Sequence, residues 1–353
     1  MKRYGKLYDE ICSIENITDA HKNARKGKGH YCEVKMVDND PVKYCDKIRQ
    51  MLVNKTFKTS RYKSMIKSDS GKKRDIKKLP YFPDRIVHHC IVQVLEPIWL
   101  KTLVRDTYAC IPRRGIHDGV KRVKLALRDK PGTKYCLKMD VKKFYQSIDH
   151  TVLKEILRRK IKDHDLLWLL DEIIDSTDEG VPIGNYLSQH FGNLYLSDYD
   201  HWMKEVQKCR YYFRYCDDVV VLDADKARLH DLRIKTEQYW ADKLKLNLKQ
   251  NWQVFPVSVR GIDFIGYRFF HNYTLLRKNT AKTFKRKISK LSANWQNMQP
   301  VSVLSTVMSY EGWLRFANCL HLKQTYINSE IREIIRSICK SKSIKNPLRR
   351  CVI

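Results

Sequence analysis

Three aspartates have positions in the sequence that suggest a catalytic metal site. Asp217 and Asp218 are adjacent and lie between two short β-prone runs, and Asp140 ends the apolar run 135–139. Because unpaired carboxylates are costly to bury, a turn at a sheet edge with a cation in front of it suits them. Two adjacent acids alone also fit an ordinary β-turn. Together with Asp140 they predict a site for two Mg²⁺ ions, with Mn²⁺ as the alternative, that would activate an attacking hydroxyl and stabilise a pyrophosphate leaving group.

Strands and helices alternate around these acids. Residues 134–140 alternate as a strand that ends at Asp140, and residues 211–215 and 219–222 fit the two strands of a hairpin. This mixture of helices and hairpins predicts an α+β fold. Apolar periodicity predicts helices over 85–100, 151–175, 185–206 and 226–245, and a basic helical region from 280 onward.

The charge balance points to a polyanionic partner. The 353 residues include 69 Lys and Arg against 39 Asp and Glu, a formal net charge of +30. Such a field attracts polyanions, of which nucleic acid is the commonest. The alternatives are a ribosome-associated or merely soluble basic protein and, after these, a membrane surface. The lysine-rich run 55–79 fits either a solvated face or a loop that follows a phosphate backbone. Hydrophobic residues, at 43%, suffice for a sizeable core, and no apolar run reaches the ~18 residues that a membrane span needs.

The cysteines indicate a reducing compartment. Eleven are present, no pair has the C-x-x-C spacing, and no secretory signal precedes them. This pattern argues against a zinc site and against a disulfide framework. We therefore expect reduced thiols in a cytoplasmic protein.

Two segments resemble the catalytic motifs of the reverse transcriptase family. Leu137-Lys138-Met139-Asp140 through Tyr145 is similar to its first catalytic motif, and Tyr215-Cys216-Asp217-Asp218 to its Tyr-x-Asp-Asp signature. The resemblance implies that Asp140, Asp217 and Asp218 are catalytic and bind metal, with the Val141 carbonyl as a further ligand. It implies a right-hand polymerase with fingers, a palm built on an antiparallel sheet, and a helical thumb.

The resemblance also assigns nucleotide-binding residues. Tyr145 would lie under the sugar of the incoming nucleotide, where a large aromatic leaves no room for a 2′-hydroxyl; taken alone, it also fits a core aromatic. Lys249 lies where the family often has a lysine near the leaving phosphate. Segments 74–89 and 108–119 resemble the fingers, whose cations bind the triphosphate. Arg85, Arg113 and Arg114 are the candidates for that role, or for contact with the template backbone.

The expected domains follow from the same resemblance. Gly261-Ile262-Asp263-Phe264-Ile265-Gly266-Tyr267 resembles the hairpin that grips the primer end, with Gly261, Phe264 and Gly266 as its site residues, and 309–314 lies in a thumb-like region. The domain boundaries are a basic N-terminal extension over 1–60, fingers over 61–135, a palm over 136–272 with part of the fingers at 151–183, and a helical thumb with a basic C-terminal tail over 273–353.

One segment indicates a subfamily. Residues 181–189 align with a block that begins Gln-Gly and ends Ser-Pro in most reverse transcriptases, but here Ile183 precedes Gly184 and Gln189 replaces the proline. This form is similar to the reverse transcriptases of diversity-generating retroelements. Ile183 can pack but cannot hydrogen-bond the nascent pair, which narrows the free-energy gap between right and wrong pairs. We therefore predict a low-fidelity enzyme in which Ile183 and Gln189 affect fidelity, while Ile183 alone also fits an ordinary core position.

That subfamily implies particular partners and a particular task. Such enzymes misincorporate opposite template adenines and copy a structured template-repeat RNA for mutagenic retrohoming. The expected partners are this RNA, the RNA/cDNA duplex, dNTPs and an oligomeric accessory variability determinant protein. The expected system is bacterial or phage-encoded, and no membrane partner is expected. The alternatives are a group II intron- or retron-type reverse transcriptase of ordinary fidelity and, in another class, a non-catalytic RNA-binding protein with a polymerase fold.

Overall fold

The protein is described by a computed structural model covering residues 3–69 and 72–341, so the basic tail after Ser341 lies outside the described residues. The α-helices are α1 (Tyr8–Cys12), α2 (Ile14–Ala24), α3 (Cys32–Asn39), α4 (Pro41–Val53), α5 (Ile86–Leu100), α6 (Ile116–Ala126), α7 (His150–Lys160), α8 (His164–Ile174), α9 (Ser188–Tyr195), α10 (Ser197–His201), α11 (Lys226–Leu244), α12 (Val257–Arg260), α13 (Lys278–Asn294), α14 (Pro300–Leu314), α15 (Leu320–Tyr326) and α16 (Ser329–Ser341). The strands are β1 (Lys63–Asp69), β2 (Lys72–Lys78), β3 (Tyr135–Met139), β4 (Tyr211–Tyr215), β5 (Asp218–Asp223), β6 (Gln253–Pro256), β7 (Ile262–Phe264), β8 (Tyr267–Phe269) and β9 (Thr274–Leu276).

The chain forms two compact units. The first comprises the chain up to Gly115, Leu137–Val221 and Ala227–Gln253, and the second comprises Ile116–Cys136, Leu222–Lys226 and the chain from Val254 onward. The sheets are an antiparallel hairpin of β1 and β2, a four-stranded sheet in the order β4-β5-β3-β6, and a three-stranded sheet in the order β7-β8-β9.

Much of the core of the first unit comes from α5 and from the strands on either side of the acidic turn. Most of α5 is buried, including Ile86, Ile91 and Leu95, and α2 packs along it. The Asn16 amide of α2 donates to the Cys90 carbonyl of α5 at 3.2 Å. The three middle residues of β4 and the four of β5 are buried. The acidic turn between these two strands is therefore held by a sheet whose strands cannot shift without exposing apolar surface.

Most of the predicted elements are confirmed, with two corrections. The helix predicted over 151–175 is two helices, α7 and α8, because the backbone becomes extended at Ile161. The strand before Asp140, the hairpin around Asp217, and the helices near 85–100 and 226–245 are present as β3, β4–β5, α5 and α11. The single helix predicted over 185–206 is wrong, because Leu196 leaves the helical conformation and separates α9 from α10. The Ser197 hydroxyl bonds the Leu194 carbonyl there at 2.7 Å, which offers the backbone an alternative partner.

Within residues 3–69 and 72–341, no helix is both long enough and apolar enough to cross a bilayer.

Candidate active site

A two-residue loop between β4 and β5 presents the paired acids. Cys216 has φ 53°, in the left-handed region that non-glycine residues seldom occupy. Two-residue hairpin loops favour positive φ because it matches the twist of the flanking strands. The buried strands on both sides thus hold Cys216 in an unfavourable conformation, as is common at functional turns. The loop brings Asp217 to the end of the hairpin.

Asp217 meets Asp140 at the ends of the two central strands of the sheet. β5 lies beside β3 in the sheet, and Asp140 directly follows β3. Burial of Asp217, followed by the charge of Asp140 and a hydrogen bond between the two side chains, raises the pKa of Asp217 from 3.8 to about 7. A buried carboxyl whose ionisation is disfavoured by a neighbouring carboxylate is a ready position for a cation, which would relieve the repulsion.

Two lysines form ion pairs with carboxylate oxygens of these acids. Lys249 Nζ lies 2.6 Å from Asp140 Oδ2, and this hydrogen bond raises the pKa of the lysine. The Lys249 backbone N–H also donates to the Asp140 carbonyl at 3.0 Å. Lys138 Nζ lies 3.3 Å from Asp218 Oδ2. Lys249 therefore lies beside a predicted metal ligand, and Asp218 has its own cationic partner.

The Val141 carbonyl faces away from the segment that holds Lys249. Val141 forms an antiparallel bridge with Leu248, while the neighbouring backbone bonds run from Lys142 to Asn247 and from Lys249 to Asp140. In this pattern Val141 is the non-hydrogen-bonded member, so its own N–H and carbonyl point to the opposite side. That orientation suits the predicted role of this carbonyl as a ligand.

The donor chemistry of these residues fits a divalent cation. Among residues 3–69 and 72–341, no group of three or more His, Cys, Asp and Glu side chains is arranged to hold a metal. Asp140 and Asp217 converge, whereas Asp218 contacts Lys138. Asp217 belongs to the turn and Asp218 begins β5. Carboxylate and carbonyl oxygens are the ligands that Mg²⁺ prefers.

Tyr145 lies in the first unit beside the acidic turn. Its hydroxyl lies 3.8 Å from Cys216 Sγ, and its ring packs against Phe144. Gly192 of α9 faces both rings, since a Cβ at this position would lie 3.0 Å from Phe144 Cε1 and 3.3 Å from Tyr145 Cε1. α9 therefore supports the Tyr145 ring at van der Waals distance.

The Ile183–Gly184 segment is joined to the β1–β2 hairpin. The Lys77 N–H of β2 donates to the Ile183 carbonyl at 2.9 Å, and the Ile183 side chain is half-buried. Gly184 has φ +112°, and a Cβ there would lie 2.7 Å from the Lys77 carbonyl oxygen and 2.8 Å from Ile76 Cγ2. Only glycine satisfies both the conformation and the close approach.

We expect Gly184→Ala to lower the free energy of unfolding by about 2 kcal/mol, because it adds backbone strain and a clash with β2. The measurement is chemical denaturation of the two proteins side by side. Gly115→Ala is the matched control, since a Cβ there meets nothing within 4 Å and φ is not positive. Equal stability of the two variants would contradict the prediction.

The remaining predicted nucleotide-binding residues differ in their surroundings. Arg113 is exposed and has φ 62°. Arg114 donates to the Val104 carbonyl at 3.2 Å. The Arg85 guanidinium lies 5.7 Å from the centre of the Tyr186 ring, its Nε donates to Ala24, and burial lowers its pKa. Gln189 is exposed and accepts from the Cys110 thiol at 2.6 Å.

The predicted primer-grip residues belong to the second unit. Phe264 is fully buried at the end of β7, and Gly266 lies in the turn to β8. The Gly266 Cα approaches the Trp313 ring so closely that a Cβ would lie 2.5 Å from Trp313 Cζ3. The Tyr267 hydroxyl donates to the Trp313 carbonyl at 2.9 Å. This hairpin is thereby anchored on α14.

Several contacts near the acids were not predicted. Two are ion pairs, Lys138 with Asp218 and the buried pair of Arg214 with Asp200. The others are the close approach of Gly192 to the Tyr145 ring and the hydrogen bond from Cys110 to Gln189. Arg214 offered one signal, since an arginine inside an otherwise apolar strand needs a buried partner. The others join residues far apart in sequence and carry no local pattern.

The chain is similar to known proteins of one family. The family model described as "Reverse transcriptase (RNA-dependent DNA polymerase)" matches residues 65–269. The chain is 25% identical over 270 residues to Protein YkfC of Escherichia coli (strain K12), covering 64% of this chain and 69% of that protein. It is 25% identical over 173 residues to the group II intron-encoded protein LtrA of Lactococcus lactis subsp. cremoris, covering 46% of this chain.

The chain spans 28% of the length of LtrA. Among solved structures, apo telomerase from Candida Tropicalis matches with a TM-score of 0.50 and 12% identity, covering 81% of this chain and 59% of that chain. This likeness supports the predicted α+β right-hand polymerase fold. Since the family model covers more than half of the residues and includes Asp140, Asp217 and Asp218, the chain belongs to the reverse transcriptase family, whose members are RNA-dependent DNA polymerases.

Proposed function

We propose that this protein copies a structured template-repeat RNA into error-prone cDNA, as the reverse transcriptase of a diversity-generating retroelement. The observation that carries this proposal is the segment 181–189, in which Ile183 precedes Gly184 and Gln189 follows Ser188. The Ile183 side chain offers no hydrogen bond to a nascent base pair. Its backbone is bonded to Lys77, so the residue can contribute shape but no polar check.

The proposed chemistry is nucleotidyl transfer with two Mg²⁺ ions, Mn²⁺ being the alternative. The ions would be held by Asp140, Asp217, Asp218 and the Val141 carbonyl, and when bound they supply charge stabilisation at the attacking 3′-hydroxyl and the leaving pyrophosphate. Lys249, beside Asp140, is positioned to contact the leaving phosphate. The exposed Arg113 is our first candidate for a triphosphate contact from the fingers, because its guanidinium fork matches phosphate oxygens.

The proposed partners follow from charge and from the resemblance. The net charge of +30 suits a template RNA and an RNA/cDNA duplex. An oligomeric accessory variability determinant protein would help in template choice. We place the system in the cytoplasm of a bacterium, as a chromosomal or phage-encoded element.

The test is cDNA synthesis on a defined RNA template with Mg²⁺ and dNTPs, followed by sequencing of the products. We expect DNA with errors concentrated opposite template adenine. Accurate DNA would contradict the retroelement assignment and leave the polymerase in place. An absence of DNA, even with an accessory protein and a retroelement RNA, would contradict the polymerase as well.

The same assay tests position 183 directly. We expect Ile183→Gln to lower misincorporation roughly fivefold, because one added hydrogen bond to the correct pair contributes about 1 kcal/mol. The readout is the error frequency per template adenine at equal extension. Ile183→Val keeps the apolar packing and serves as the control, with an unchanged error frequency. An unchanged error spectrum in Ile183→Gln would contradict the proposed role of Ile183 in fidelity.

A second candidate is a group II intron-type reverse transcriptase of ordinary fidelity. The similarity to LtrA and YkfC favours it. It predicts accurate cDNA and binding to an intron RNA, so the sequencing assay above separates the two candidates.

A further inference from the structure

A fully buried arginine lies immediately before the Tyr215-Cys216-Asp217-Asp218 motif. Arg214 and Asp200 are both 0% exposed. Nε of Arg214 donates to Asp200 Oδ1 at 2.7 Å and Nη2 donates to Asp200 Oδ2 at 2.6 Å, which makes a two-pronged ion pair between β4 and α10. Such an arrangement fixes the plane of the guanidinium as well as its position.

The other donors of the guanidinium reach the acidic turn and α9. Nη1 donates to the Cys216 carbonyl at 2.8 Å and to Asn193 Oδ1 at 3.3 Å, and Nη2 donates to the Asn193 carbonyl at 3.3 Å. With the two bonds to Asp200, each of the five N–H donors of the group has an acceptor. A buried cation whose donors are all satisfied has one stable orientation.

Asp200 is held from its other side. It accepts from the Tyr212 hydroxyl at 2.5 Å and from the Thr107 hydroxyl at 3.2 Å. Asn193 donates in turn to the Ala109 carbonyl at 2.7 Å. The Arg214 backbone also bonds this segment, donating to Asp106 at 3.0 Å and accepting from Tyr108 at 3.1 Å. The guanidinium thereby joins β4 to α9 and α10, and the 106–109 segment is joined to them through Asp200, Asn193 and the Arg214 backbone.

The bond to the Cys216 carbonyl connects this network with the metal-binding acids. That carbonyl belongs to the peptide group that links Cys216 to Asp217, and Cys216 has the strained φ of 53°. A donor fixed in the protein interior opposes relaxation of this peptide. Because the orientation of the peptide determines where the Asp217 side chain begins, the guanidinium acts on Asp217 without touching it.

We propose that Arg214, fixed by Asp200, is a positioning residue that holds the Cys216–Asp217 peptide so that the Asp217 carboxylate faces Asp140 in the geometry that binds metal. The inference rests on the polymerase chemistry proposed above and is independent of template type or fidelity. Loss of the fork should weaken metal binding and slow the chemical step, while primer–template affinity and dNTP affinity stay near their original values.

The test compares Arg214→Lys with Arg158→Lys in primer extension. Lysine keeps the positive charge beside Asp200 but has one nitrogen, which cannot serve Asp200 and the Cys216 carbonyl with the same geometry. Arg158 forms a two-pronged pair with Asp171 between α7 and α8, which gives the same substitution in the same unit away from the turn. We expect Arg214→Lys to raise the Mg²⁺ concentration for half-maximal rate at least tenfold and to lower kcat with little change in KM. Arg158→Lys should leave both unchanged.

A second readout needs no catalysis. Mn²⁺ titrated into the apo protein and followed by electron paramagnetic resonance should bind at least tenfold more weakly to Arg214→Lys than to the original chain. Asp200→Asn is the second variant, since it keeps the size of the side chain and removes the charge that fixes the guanidinium. It should show the same shift in both assays.

The outcomes separate this inference from the proposed function. If the original chain makes no DNA, the proposed function has failed, and the Mn²⁺ titration still decides the role of Arg214. If the original chain is active and a folded Arg214→Lys or Asp200→Asn variant keeps its Mg²⁺ and Mn²⁺ dependence, the inference is overturned. It is also overturned if neither variant yields folded protein by circular dichroism, since the pair would then serve folding alone.

Discussion

Asp217→Asn is expected to reduce DNA synthesis about a thousandfold or more, which corresponds to ~4 kcal/mol of transition-state stabilisation. The amide keeps the shape of the side chain but removes the charge that would share a cation with Asp140. Burial and the neighbouring carboxylates disfavour the charge of Asp217 in the absence of metal. The measurement is the single-turnover rate of primer extension at saturating dNTP and Mg²⁺.

The same variant should be more stable without metal. The pKa of Asp217 is raised in the fold from 3.8 to about 7, so the folded state holds a proton that the unfolded state releases. Stability therefore falls as pH rises from about 4 through 7, and the amide removes this loss. We expect a higher unfolding temperature for Asp217→Asn at pH 8 in the presence of a chelator.

Asp242→Asn is the matched control for both measurements, because Asp242 is exposed on α11. It should leave the rate and the unfolding temperature unchanged. Activity within tenfold of the original in a folded Asp217→Asn variant would remove Asp217 from the catalytic set. Retained RNA binding with lost synthesis would separate catalysis from a role in RNA binding alone.

Tyr145→Ala is expected to reduce the preference for dNTP over rNTP about a hundredfold. The large ring occupies the position proposed for the nucleotide sugar, and discrimination against one extra group by shape alone reaches roughly this size. The ring packs close to Gly192, and Cys216 Sγ lies 3.8 Å from its hydroxyl. The measurement is the ratio of kcat/KM values for dCTP and CTP on the same template.

Tyr145→Phe is the control for that experiment. It removes the contact with Cys216 and keeps the ring, so the ratio should stay within about threefold of the original if shape decides it. A large loss of discrimination in Tyr145→Phe would assign the effect to the hydroxyl instead. An unchanged ratio in Tyr145→Ala would make Tyr145 a core aromatic without a role in sugar selection.

Local patterns explain why much of the catalytic sheet was predictable. The hairpin around Asp217 consists of two β-prone runs separated by two polar residues, and Asp140 ends an alternating strand. In both cases neighbouring residues determine the backbone. The helix predicted over 185–206 failed for the complementary reason. Its apolar periodicity continues through Leu196, while the break depends on a side-chain bond from Ser197 and on burial against other elements.

The sequence by itself determined the charge, the family and the acids, because each depends on residue type or on short-range order. The tertiary structure decided which acids meet. It placed Asp217 against Asp140, and it formed the ion pairs of Lys138 with Asp218 and of Lys249 with Asp140. These pairs join residues up to 109 positions apart, and such contacts form only when the packing of buried strands and helices fixes where each side chain begins.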